Sequence, residues 1–531
     1  MPKYIFVTGG VCSSLGKGIA SASIGNLLKS SGLSVFTQKL DPYLNVDPGT
    51  MSPFQHGEVF VTDDGGETDL DLGHYERFID VPLSKLSSFS TGQVYQTVLD
   101  RERKGDYLGR TIQIIPHITD EIKNRIRTAA KKSKCDIMMC EIGGTVGDIE
   151  GQPFLEALRQ MRHEEGKENT LFIHLTLLPY LKSANELKTK PTQLSVRTLQ
   201  SMGIQPDLIM LRADDKIYKK HIQKISNFCD VEEEAVIPAP TVSSIYEVPL
   251  NFEQYGITKT ISKKLNLKYK KPKLAEWERM VKRIKESKTE LSIGLAGKYN
   301  ELDDAYLSVI EAIKAAAYAH KRKANIVWID TEKIEAKDEK EWKRLKSVAG
   351  VVVPGGFGNR GIEGKIEVAQ YCRENKVPYL GLCLGSQIMA IEFARHAVGI
   401  KNATSEEFSP RAKNKVVHFM PGQHEKKAKG GTLRLGSWPC KLKKGTKAHE
   451  AYGENLIHER HRHRYEFNNA FKKQLEKNGL IFSGVSPDRE LMEIVELKDH
   501  PFMLGSQFHP EFKSRPNRPH PLFKGFMKAS L

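Results

Sequence analysis

The sequence lacks the features that mark disulfide-stapled, secreted and membrane-spanning proteins. Its seven cysteines in 531 residues are scattered and form no C-x-x-C pair, which argues against a disulfide framework and predicts a reducing compartment. The longest apolar run, Leu171 to Leu181, is too short to cross a membrane and contains a histidine. The chain enters an apolar strand at once, without the apolar core of a signal peptide. We therefore expect a soluble, cytoplasmic protein.

Recognition patterns for nucleic acid are also missing, although the chain is basic. The formal net charge is +16, but the lysines are spread along the chain, with only short clusters such as Lys131-Lys132 and Lys443-Lys444. The sequence shows no helix-turn-helix, zinc or RNP pattern. A solvated basic surface together with polyphosphate ligands accounts for the charge, so we expect no nucleic-acid partner.

A glycine-flanked cysteine near the C-terminal end predicts a nucleophile. Cys383 lies in Gly381–Gln387, between an apolar run at 377–382 that predicts a strand and a predicted helix at 386–393. The G-x-C-x-G pattern describes a nucleophile elbow, in which the helix N-terminus favours a thiolate. His509 is the candidate base, and Glu511 is the group that would orient it. The alternative is a buried structural cysteine beside an ordinary glycine turn.

A second glycine turn supports the catalytic alternative. The turn Pro354–Gly358 follows an apolar strand predicted at 349–353, and its N–H groups would suit the oxyanion of an acyl transfer. Together these features resemble the class I glutamine amidotransferase domain, a cysteine hydrolase that releases ammonia from glutamine. The resemblance extends from about residue 290 to the C-terminus.

The N-terminal segment predicts a nucleotide site. A short strand, Tyr4–Val7, runs into a glycine loop that contains Lys17 and precedes a helix, an arrangement that holds phosphates. The match to a P-loop is imperfect, because the first glycine lies one position early, at Gly10, and Gly18 replaces the hydroxyl residue that touches magnesium. We therefore expect Asp71 and Glu141 to hold Mg²⁺. The alternative is a turn residue and a strand-end charge.

Long segments around these elements resemble the CTP synthase family. They are Lys39–Thr50, His56–Val61, Asp69–Arg77, Arg101–Tyr107, Glu141–Glu150 and Lys188–Gln193. The resemblance covers nearly the whole chain. It implies an α/β fold, with a P-loop-like, mostly parallel sheet domain followed by a second α/β domain of the class I glutamine amidotransferase type.

Composition and hydrophobic spacing place the domain boundaries. We predict an amidoligase domain at 1–266, a linker at 267–290 and an amidotransferase domain at 291–531. The linker contains a basic stretch with a proline, Lys268–Lys273, and then one face of a short amphipathic helix. Both halves alternate apolar strands with helical stretches, so we expect a mostly parallel sheet in each.

The resemblance implies a three-step reaction and a set of ligand contacts. ATP phosphorylates the 4-oxygen of UTP, glutamine is hydrolysed in the other domain, and ammonia travels internally to displace the phosphate. The residues that match the family's ATP site are Ser14, Leu15, Gly16, Lys17, Gly18, Ile19, Lys39, Asp71 and Val242. Those that match the site shared by UTP and CTP are Ser13, Asp148, Ile149, Glu150, Lys188, Thr189, Lys190, Pro191, Thr192, Gln193 and Lys224. Those that match glutamine contacts are Gly356, Leu384, Gly385, Ser386, Gln387, Glu407 and Arg464.

The resemblance also implies regulation and assembly. Family members are activated by GTP, inhibited by their product CTP, and assembled as homotetramers. A lid over the GTP region is expected at His424–Gly431, which is short and lysine-rich here.

Two other functions remain as alternatives. One is a glutamine-dependent ligase that amidates a carboxylate, against which the segments Lys39–Thr50 and Lys188–Gln193 argue. The other is a non-catalytic filament or scaffold protein, against which the intact Lys17, Cys383 and His509 argue.

Overall fold

The computed structural model describes residues 2–298, 302–420 and 432–531 and divides into two compact units. The first unit comprises the chain up to Pro48 and Asp71–Val281, and the second comprises Gly49–Leu70 and Lys282–Leu531. The lid expected at 424–431 lies outside the described residues. Among the residues that the structure does describe, no helix is long and apolar enough to cross a membrane.

Strands and helices alternate along most of the chain. The strands are β1 Lys3–Gly9, β2 Val35–Asp41, β3 Phe60–Val61, β4 Glu67–Thr68, β5 Ser88–Ser90, β6 Ile137–Ile142, β7 Thr170–Leu177, β8 Tyr180–Leu181, β9 Glu186–Leu187, β10 Leu208–Ala213, β11 Val236–Pro240, β12 Glu290–Gly297, β13 Lys323–Asp330, β14 Gly350–Val353, β15 Tyr379–Leu382, β16 Thr404–Ser405, β17 Lys415–Phe419, β18 Arg434–Leu442, β19 Leu456–His463, β20 Tyr465–Phe467, β21 Leu480–Val485, β22 Met492–Leu497 and β23 Met503–Ser506. The helices are α1 Lys17–Ser30, α2 Pro53–His56, α3 Asp71–Ile79, α4 Thr91–Lys104, α5 Thr119–Ser133, α6 Gln152–Glu165, α7 Lys190–Ser201, α8 Lys219–Cys229, α9 Val248–Gln254, α10 Ile257–Lys264, α11 Ala275–Glu286, α12 Leu307–Ala319, α13 Thr331–Glu335, α14 Glu339–Lys346, α15 Ile362–Glu374, α16 Leu384–Glu392, α17 Lys447–Tyr452, α18 Lys472–Lys477 and α19 Pro521–Ala529.

The first unit is built on a seven-stranded parallel sheet. Its strand order is β11-β10-β7-β1-β6-β2-β5, and every pairing in it is parallel. Six of the seven β1 residues are buried, as expected for a central strand covered on both faces. Alternate β1 residues belong to two hydrophobic clusters, with Tyr4 and Phe6 in one and Ile5 and Val7 in the other. The predicted P-loop-like parallel sheet is confirmed.

The second unit contains a nine-stranded mixed sheet. Its order is β13-β12-β14-β15-β23-β22-β21-β18-β19, in which the first five strands are parallel and the last four pairings are antiparallel. The α/β class is confirmed, but the expectation of a mostly parallel sheet is wrong here. The antiparallel extension follows from chain connections without crossover helices, as in the step from β21 to β22.

Residues 49–70 depart from the predicted domain boundaries, because they belong to the second unit. The carboxylate of Glu58 accepts hydrogen bonds from the backbone N–H (2.9 Å) and hydroxyl of Ser308, at the start of α12. Arg460 on β19 donates to Asp63 (2.7 Å) and to the carbonyl of Val61 (3.1 Å). The Arg460 side chain is 1% exposed and Asp63 is 37% exposed, so the ion pair reaches from the interior of the second unit to its surface.

The predicted linker helix is α11, and its apolar face packs within the first unit. The Trp277 ring lies 5.5 Å from Phe78 and 6.0 Å from Tyr246, and its indole N–H donates to the Tyr246 carbonyl (2.7 Å). The division between compact units therefore falls at Val281, inside the helix, instead of at the two predicted positions.

Candidate active sites

In the first unit, the glycine loop joins the end of β1 to the start of α1. Val11, Ser14 and Gly16 have positive φ angles of 78°, 59° and 87°, so the loop winds tightly before the helix begins at Lys17. Ser13 and Ser14 are exposed on this loop. The N–H groups of the first helical turn are available to an anion at this position, which is the geometry that phosphate sites use.

Lys17 ties the glycine loop to the loop that follows β6. Its Nζ donates to the carbonyl of Gly144 (2.7 Å), and the N–H of Val146 donates to the carbonyl of Gly9 (2.8 Å). Burial lowers the pKa of Lys17, although the charge of Glu141 opposes the shift. The loops after two adjacent parallel strands are thus held together at the carboxyl edge of the sheet.

Lys39 lies between the two carboxylates predicted to hold a metal. Its Nζ is 2.9 Å from Oε1 of Glu141 and also forms an ion pair with Asp71, the first residue of α3. Tyr75 donates to the other oxygen of Glu141 (2.5 Å). Burial would raise the pKa of Asp71, but the charges of Lys39, His74 and Lys17 and the hydrogen bond from Lys39 together outweigh it and lower the pKa to about 2. Two carboxylates therefore converge on one cationic side chain.

This convergence fits a hard dication, with carboxylate oxygens as the only side-chain ligands. Magnesium is commonly held by one or two carboxylates together with water and substrate phosphates. The described part of the chain contains no group of three metal-ligating side chains.

A cavity of about 270 Å³ adjoins the glycine loop. It brings the loop and helix residues Ser14, Leu15, Gly16 and Ile19 together with the distant Val242. Arg212 at the end of β10 also lines this cavity and was missed by the sequence analysis. Its guanidinium donates to Thr241 (2.7 Å) and to the carbonyl of Ala213 (3.0 Å). Its position at the carboxyl end of a parallel strand was the available signal.

The predicted pyrimidine-nucleotide residues form two groups. Asp148, Ile149 and Glu150 follow β6, and the Asp148 carboxylate accepts from the N–H of Thr145 (2.8 Å). Lys188–Gln193 precede and begin α7, with Pro191 in its first turn. Lys188 pairs with Glu186, and Lys224 on α8 also lowers the pKa of that carboxyl.

Two residues of this set use their side chains inside the unit. The Thr192 hydroxyl donates to the carbonyl of Leu177 (3.0 Å), and the Gln193 amide donates to Thr189 (3.1 Å). The side chains of Thr189, Thr192 and Gln193 are buried, whereas that of Lys190 is exposed. The structure therefore presents the lysines to solvent and places Thr192 and Gln193 beneath them.

His174 connects the glycine loop to α7. Its Nδ1 is 2.8 Å from the Thr8 hydroxyl, and its Nε2 is 2.9 Å from the Ser195 hydroxyl. Burial lowers the pKa of His174 to about 3, so the ring stays neutral and joins the two elements by hydrogen bonds alone. Gly10 packs directly on α7, because a Cβ at this position would lie 1.7 Å from Ser195 Oγ.

In the second unit, Cys383 occupies the predicted elbow between β15 and α16. Its backbone has φ 51° and ψ −101°, a left-handed conformation that costs energy for a residue with a side chain. A Cβ on Gly381 would lie 2.5 Å from the Gly385 backbone, and one on Gly385 would lie 2.1 Å from the Val353 carbonyl. The glycine pattern is therefore required by close backbone contact around the elbow.

His509 and Glu511 lie beside Cys383 at the end of β23. Nδ1 of His509 is 2.7 Å from the Glu511 carboxylate, and the imidazole stacks on Phe512 at 5.1 Å. Burial alone would lower the pKa of His509, but the charges of Glu511 and Cys383 raise it to about 10. The imidazole is therefore protonated at neutral pH and lies in the same cavity as Cys383.

A cavity of about 160 Å³ contains this constellation. Its walls include Cys383, His509, Glu511, the turn Gly355–Phe357 and Arg462, together with parts of residues 49–59. Gly355 lies between the base and the nucleophile, since a Cβ there would be 3.0 Å from Cε1 of His509 and 3.6 Å from Cβ of Cys383. The predicted oxyanion turn is therefore adjacent to the nucleophile.

Of the predicted glutamine-site residues, Gly356 lines this cavity and the others do not. Leu384, Gly385 and Ser386 form the first turn of α16 and are buried. Glu407 accepts from the N–H of Gly358 (2.8 Å), and Arg464 donates to Thr432 (2.9 Å).

A glutamine side chain missed by the sequence analysis contacts the nucleophile. Nε2 of Gln507 is 3.7 Å from Sγ of Cys383, and its Oε1 accepts from the predicted Gln387 (3.1 Å). Gln387 also donates to the Tyr465 carbonyl (3.2 Å), so its amide is used inside the unit. The only sequence signal for Gln507 was its position two residues before His509.

Comparison with known proteins covers both units. The chain matches the family models described as CTP synthase N-terminus, over residues 3–267, and Glutamine amidotransferase class-I, over residues 301–529. It is 59% identical to the CTP synthase of Carboxydothermus hydrogenoformans over 531 residues, which cover 100% of this chain and 99% of that one. It is 54% identical to the CTP synthase of Bacillus subtilis (strain 168), with the same coverage. A solved Trypanosoma brucei CTPS glutaminase domain with bound acivicin is 37% identical, covers 45% of this chain and 93% of its own, and has a TM-score of 0.43.

The His509–Glu511 pair predicts a pH-dependent contribution to stability. Because folding raises the pKa of His509 to about 10, the pair stabilises the second unit fully below pH 6.5, and this contribution is lost as the pH rises toward 10. Glu511→Gln should therefore lower the apparent unfolding temperature by roughly 4 °C or more at pH 6, and by much less near pH 10. Thermal unfolding of both proteins across this range measures the difference. An equal difference at both ends would show that the ion pair is not formed.

Proposed function

The chain belongs to the CTP synthase family, and from this premise we propose how its two units divide the family's reaction. The family converts UTP to CTP with glutamine as nitrogen donor, in pyrimidine nucleotide biosynthesis, and the chain is a glutamine-hydrolysing ligase of this kind. We assign activation of UTP by ATP to the first unit and release of ammonia to the second. The observation that carries this assignment is the meeting of Cys383, His509 and Glu511 around one cavity.

In the second unit, Cys383 is the nucleophile of glutamine hydrolysis. Its thiolate attacks the carboxamide carbon, the oxygen takes the negative charge, and the N–H groups of Gly356 and Leu384 bind that oxyanion. The imidazolium of His509 gives its proton to the departing nitrogen, so ammonia leaves and a thioester remains. Neutral His509 then takes a proton from water, which hydrolyses the thioester to glutamate and restores the thiolate.

Two charged side chains bind the α-ammonium and α-carboxylate groups of glutamine. Glu407 binds the α-ammonium and Arg464 the α-carboxylate, while Gln387, Gly385 and Ser386 shape the first turn of α16 beneath the substrate. To bind the ligand's ammonium, the Glu407 carboxylate would release its hydrogen bond from the Gly358 N–H. Burial raises the pKa of Glu407 although the Gly358 N–H opposes the shift, so a cationic partner at this position is favourable.

In the first unit, the glycine loop holds the ATP phosphates. Backbone N–H groups of Ser14–Ile19 face the phosphates, Lys17 and Lys39 neutralise charge, and the base enters the cavity beside Val242, with Arg212 on its wall. The 4-oxygen of UTP is a poor leaving group. The 4-oxygen therefore first attacks the γ-phosphorus of ATP, which releases ADP and leaves a 4-phosphorylated pyrimidine. Ammonia then adds at position 4 of the ring, and the oxygen leaves as inorganic phosphate.

Asp71 and Glu141 hold Mg²⁺ in this account, because their carboxylates already converge on one cation. When bound there, the ion would neutralise charge on the transferring phosphoryl group. Lys39 must then leave its position between the carboxylates, and its ammonium becomes available to the phosphates.

UTP and CTP share one site on the first unit, in our proposal. Lys188, Lys190 and Lys224 bind the triphosphate, and Thr189, Pro191, Thr192 and Gln193 belong to the same nucleotide site at the start of α7. Ser13 and the segment 148–150 face the pyrimidine. CTP inhibits because substrate and product differ only at position 4 of the ring.

Regulation and assembly follow the family in our proposal. GTP activates glutamine hydrolysis, and the enzyme is a homotetramer. We place it in the cytoplasm, for which the seven free cysteines give support, since a reducing compartment keeps thiols unpaired.

The metal assignment predicts a selective loss. Asp71→Asn and Glu141→Gln each remove one oxygen charge with little change in shape, so ATP- and UTP-dependent synthesis should fall roughly 100-fold or more. Glutamine hydrolysis in the second unit should persist and serves as the control for folding. The assignment is wrong if both variants make CTP at near-normal rates.

The division of chemistry predicts opposite phenotypes for the two units. Cys383→Ala and His509→Ala should abolish CTP formation from glutamine but retain it with ammonium salt at raised pH, because free ammonia bypasses the hydrolysis. Lys17→Ala should lose synthesis with either nitrogen source, since the phosphoryl transfer itself fails. CTP formation with glutamine or ammonium measures both activities. Loss of the ammonium reaction in a folded Cys383→Ala protein would refute the division.

A further inference from the structure

Lys365 is a buried lysine close to the glutamine cavity that the reaction described above does not use. It lies in the first turn of α15, its side chain is 0% exposed, and its Nζ has no hydrogen-bond partner among the residues that the structure describes. A buried amine without a partner costs more free energy than a buried methyl group of similar size. Packing alone therefore does not explain a lysine at this position.

The amine lies against the predicted oxyanion turn. A Cβ built on Gly356 would be 3.9 Å from Nζ of Lys365 and 3.6 Å from the side chain of Leu384. These are the two residues whose N–H groups bind the oxyanion in the proposed function. Lys365 is thus adjacent to the backbone of the oxyanion turn, on the side of Gly356 where a side chain would project.

Three charged or titratable groups from other elements face Lys365. Lys298 follows β12 and donates to the Phe357 carbonyl, Glu407 follows β16 and accepts from the Gly358 N–H, and Cys383 immediately precedes α16. Both contacts are to the peptide group between Phe357 and Gly358, at the end of the turn, and Lys365 is next to Gly356 at its centre. Burial, aided by the charge of Lys298, lowers the pKa of Lys365 to about 7, whereas Glu407 and Cys383 oppose the shift.

We propose that Lys365 is a positioning residue for glutamine hydrolysis, whose buried cation stabilises the oxyanion through the backbone of Gly356. The proposal rests on the proposed function, since it requires Cys383 to generate that oxyanion. A cation in a water-excluded site acts strongly on charge that develops nearby, and the turn is already in place before the reaction begins. Lys365 thus contributes to catalysis at the expense of stability, a pattern typical of functional sites.

Lys365→Met keeps most of the volume of the side chain and removes the amine. We expect kcat for glutamine hydrolysis to fall about tenfold with little change in KM, because the charge acts on the transition state and not on bound glutamine. The ratio of wild-type to variant kcat should be largest below pH 7 and should shrink at higher pH, where Lys365 loses its proton. CTP synthesis from ammonium should be unchanged.

The same variant should be more stable than the wild type. The pKa of Lys365 is lower in the folded state than in the unfolded state, so the wild-type protein carries the full cost of the buried charge below pH 7 and regains stability as the pH rises toward 10.5. The increase in unfolding temperature caused by Lys365→Met should therefore be greater at pH 6 than at pH 9. Lys365→Gln keeps a hydrogen-bond donor without the charge and should show the same loss of kcat. It replaces Lys365→Met in the test if methionine impairs folding.

Lys447→Met is the matched control in the same unit. Lys447 donates to the carbonyls of Leu497 (3.1 Å) and Lys498 (3.0 Å), so its replacement should lower stability and leave glutamine hydrolysis intact. Unchanged kcat and pH profile in both Lys365 variants would overturn the proposal. Loss of stability together with equal loss of the glutamine and ammonium reactions would also overturn it, in favour of a structural role. Glutamine hydrolysis that survives Cys383→Ala would instead refute the proposed function, whatever the Lys365 variants show.

Discussion

Parallel strand pairing at the centre of each sheet determines which reactive side chains can meet. In the first unit, the register of β2 against β6 places Lys39 directly opposite Glu141, so the two side chains share one face. In the second unit, Val353 pairs with Gly381, and Leu382 pairs with Ser506. The oxyanion turn, the elbow and the histidine loop therefore leave the sheet at the same edge.

Close backbone contact around the elbow restricts both the residue types and the backbone conformation at positions 381–385. The α16 helix begins directly against β14, which explains why Gly385 cannot carry a side chain beside the Val353 carbonyl. Cys383 is then held in a strained backbone conformation by the strand before it and the helix after it. The protonation of His509 depends on the same packing. Because His509 is buried beside Glu511, their charges interact strongly and the imidazole stays protonated.

The sequence predicted elements with strong local signals and missed those that depend on tertiary contact. The two glycine turns, the Cys383 elbow and its partners at 509 and 511 were predicted, because a strand–glycine–helix junction has few structural solutions. The helix predicted at 386–393 begins two residues earlier, at Leu384.

Other features could not be read from local pattern. The ion pairs of Arg460 and the bonds of Glu58 that hold residues 49–70 in the second unit join positions about 400 and 250 residues apart. Arg212, Gln507 and Lys365 carry no motif, and only the fold shows that they line or adjoin a cavity. Lys39 was predicted as a nucleotide contact, but its place between Asp71 and Glu141 required the register of the sheet.

The central claim is that nitrogen released at Cys383 is the nitrogen that aminates UTP. Incubation of the full chain with ATP, UTP, Mg²⁺ and glutamine labelled with ¹⁵N in the side-chain amide tests it directly. Mass spectrometry of the nucleotide product should show CTP with one ¹⁵N at the 4-amino position, even in the presence of dilute unlabelled ammonium at neutral pH. Unlabelled CTP, or labelled ammonia without any CTP, would contradict the account.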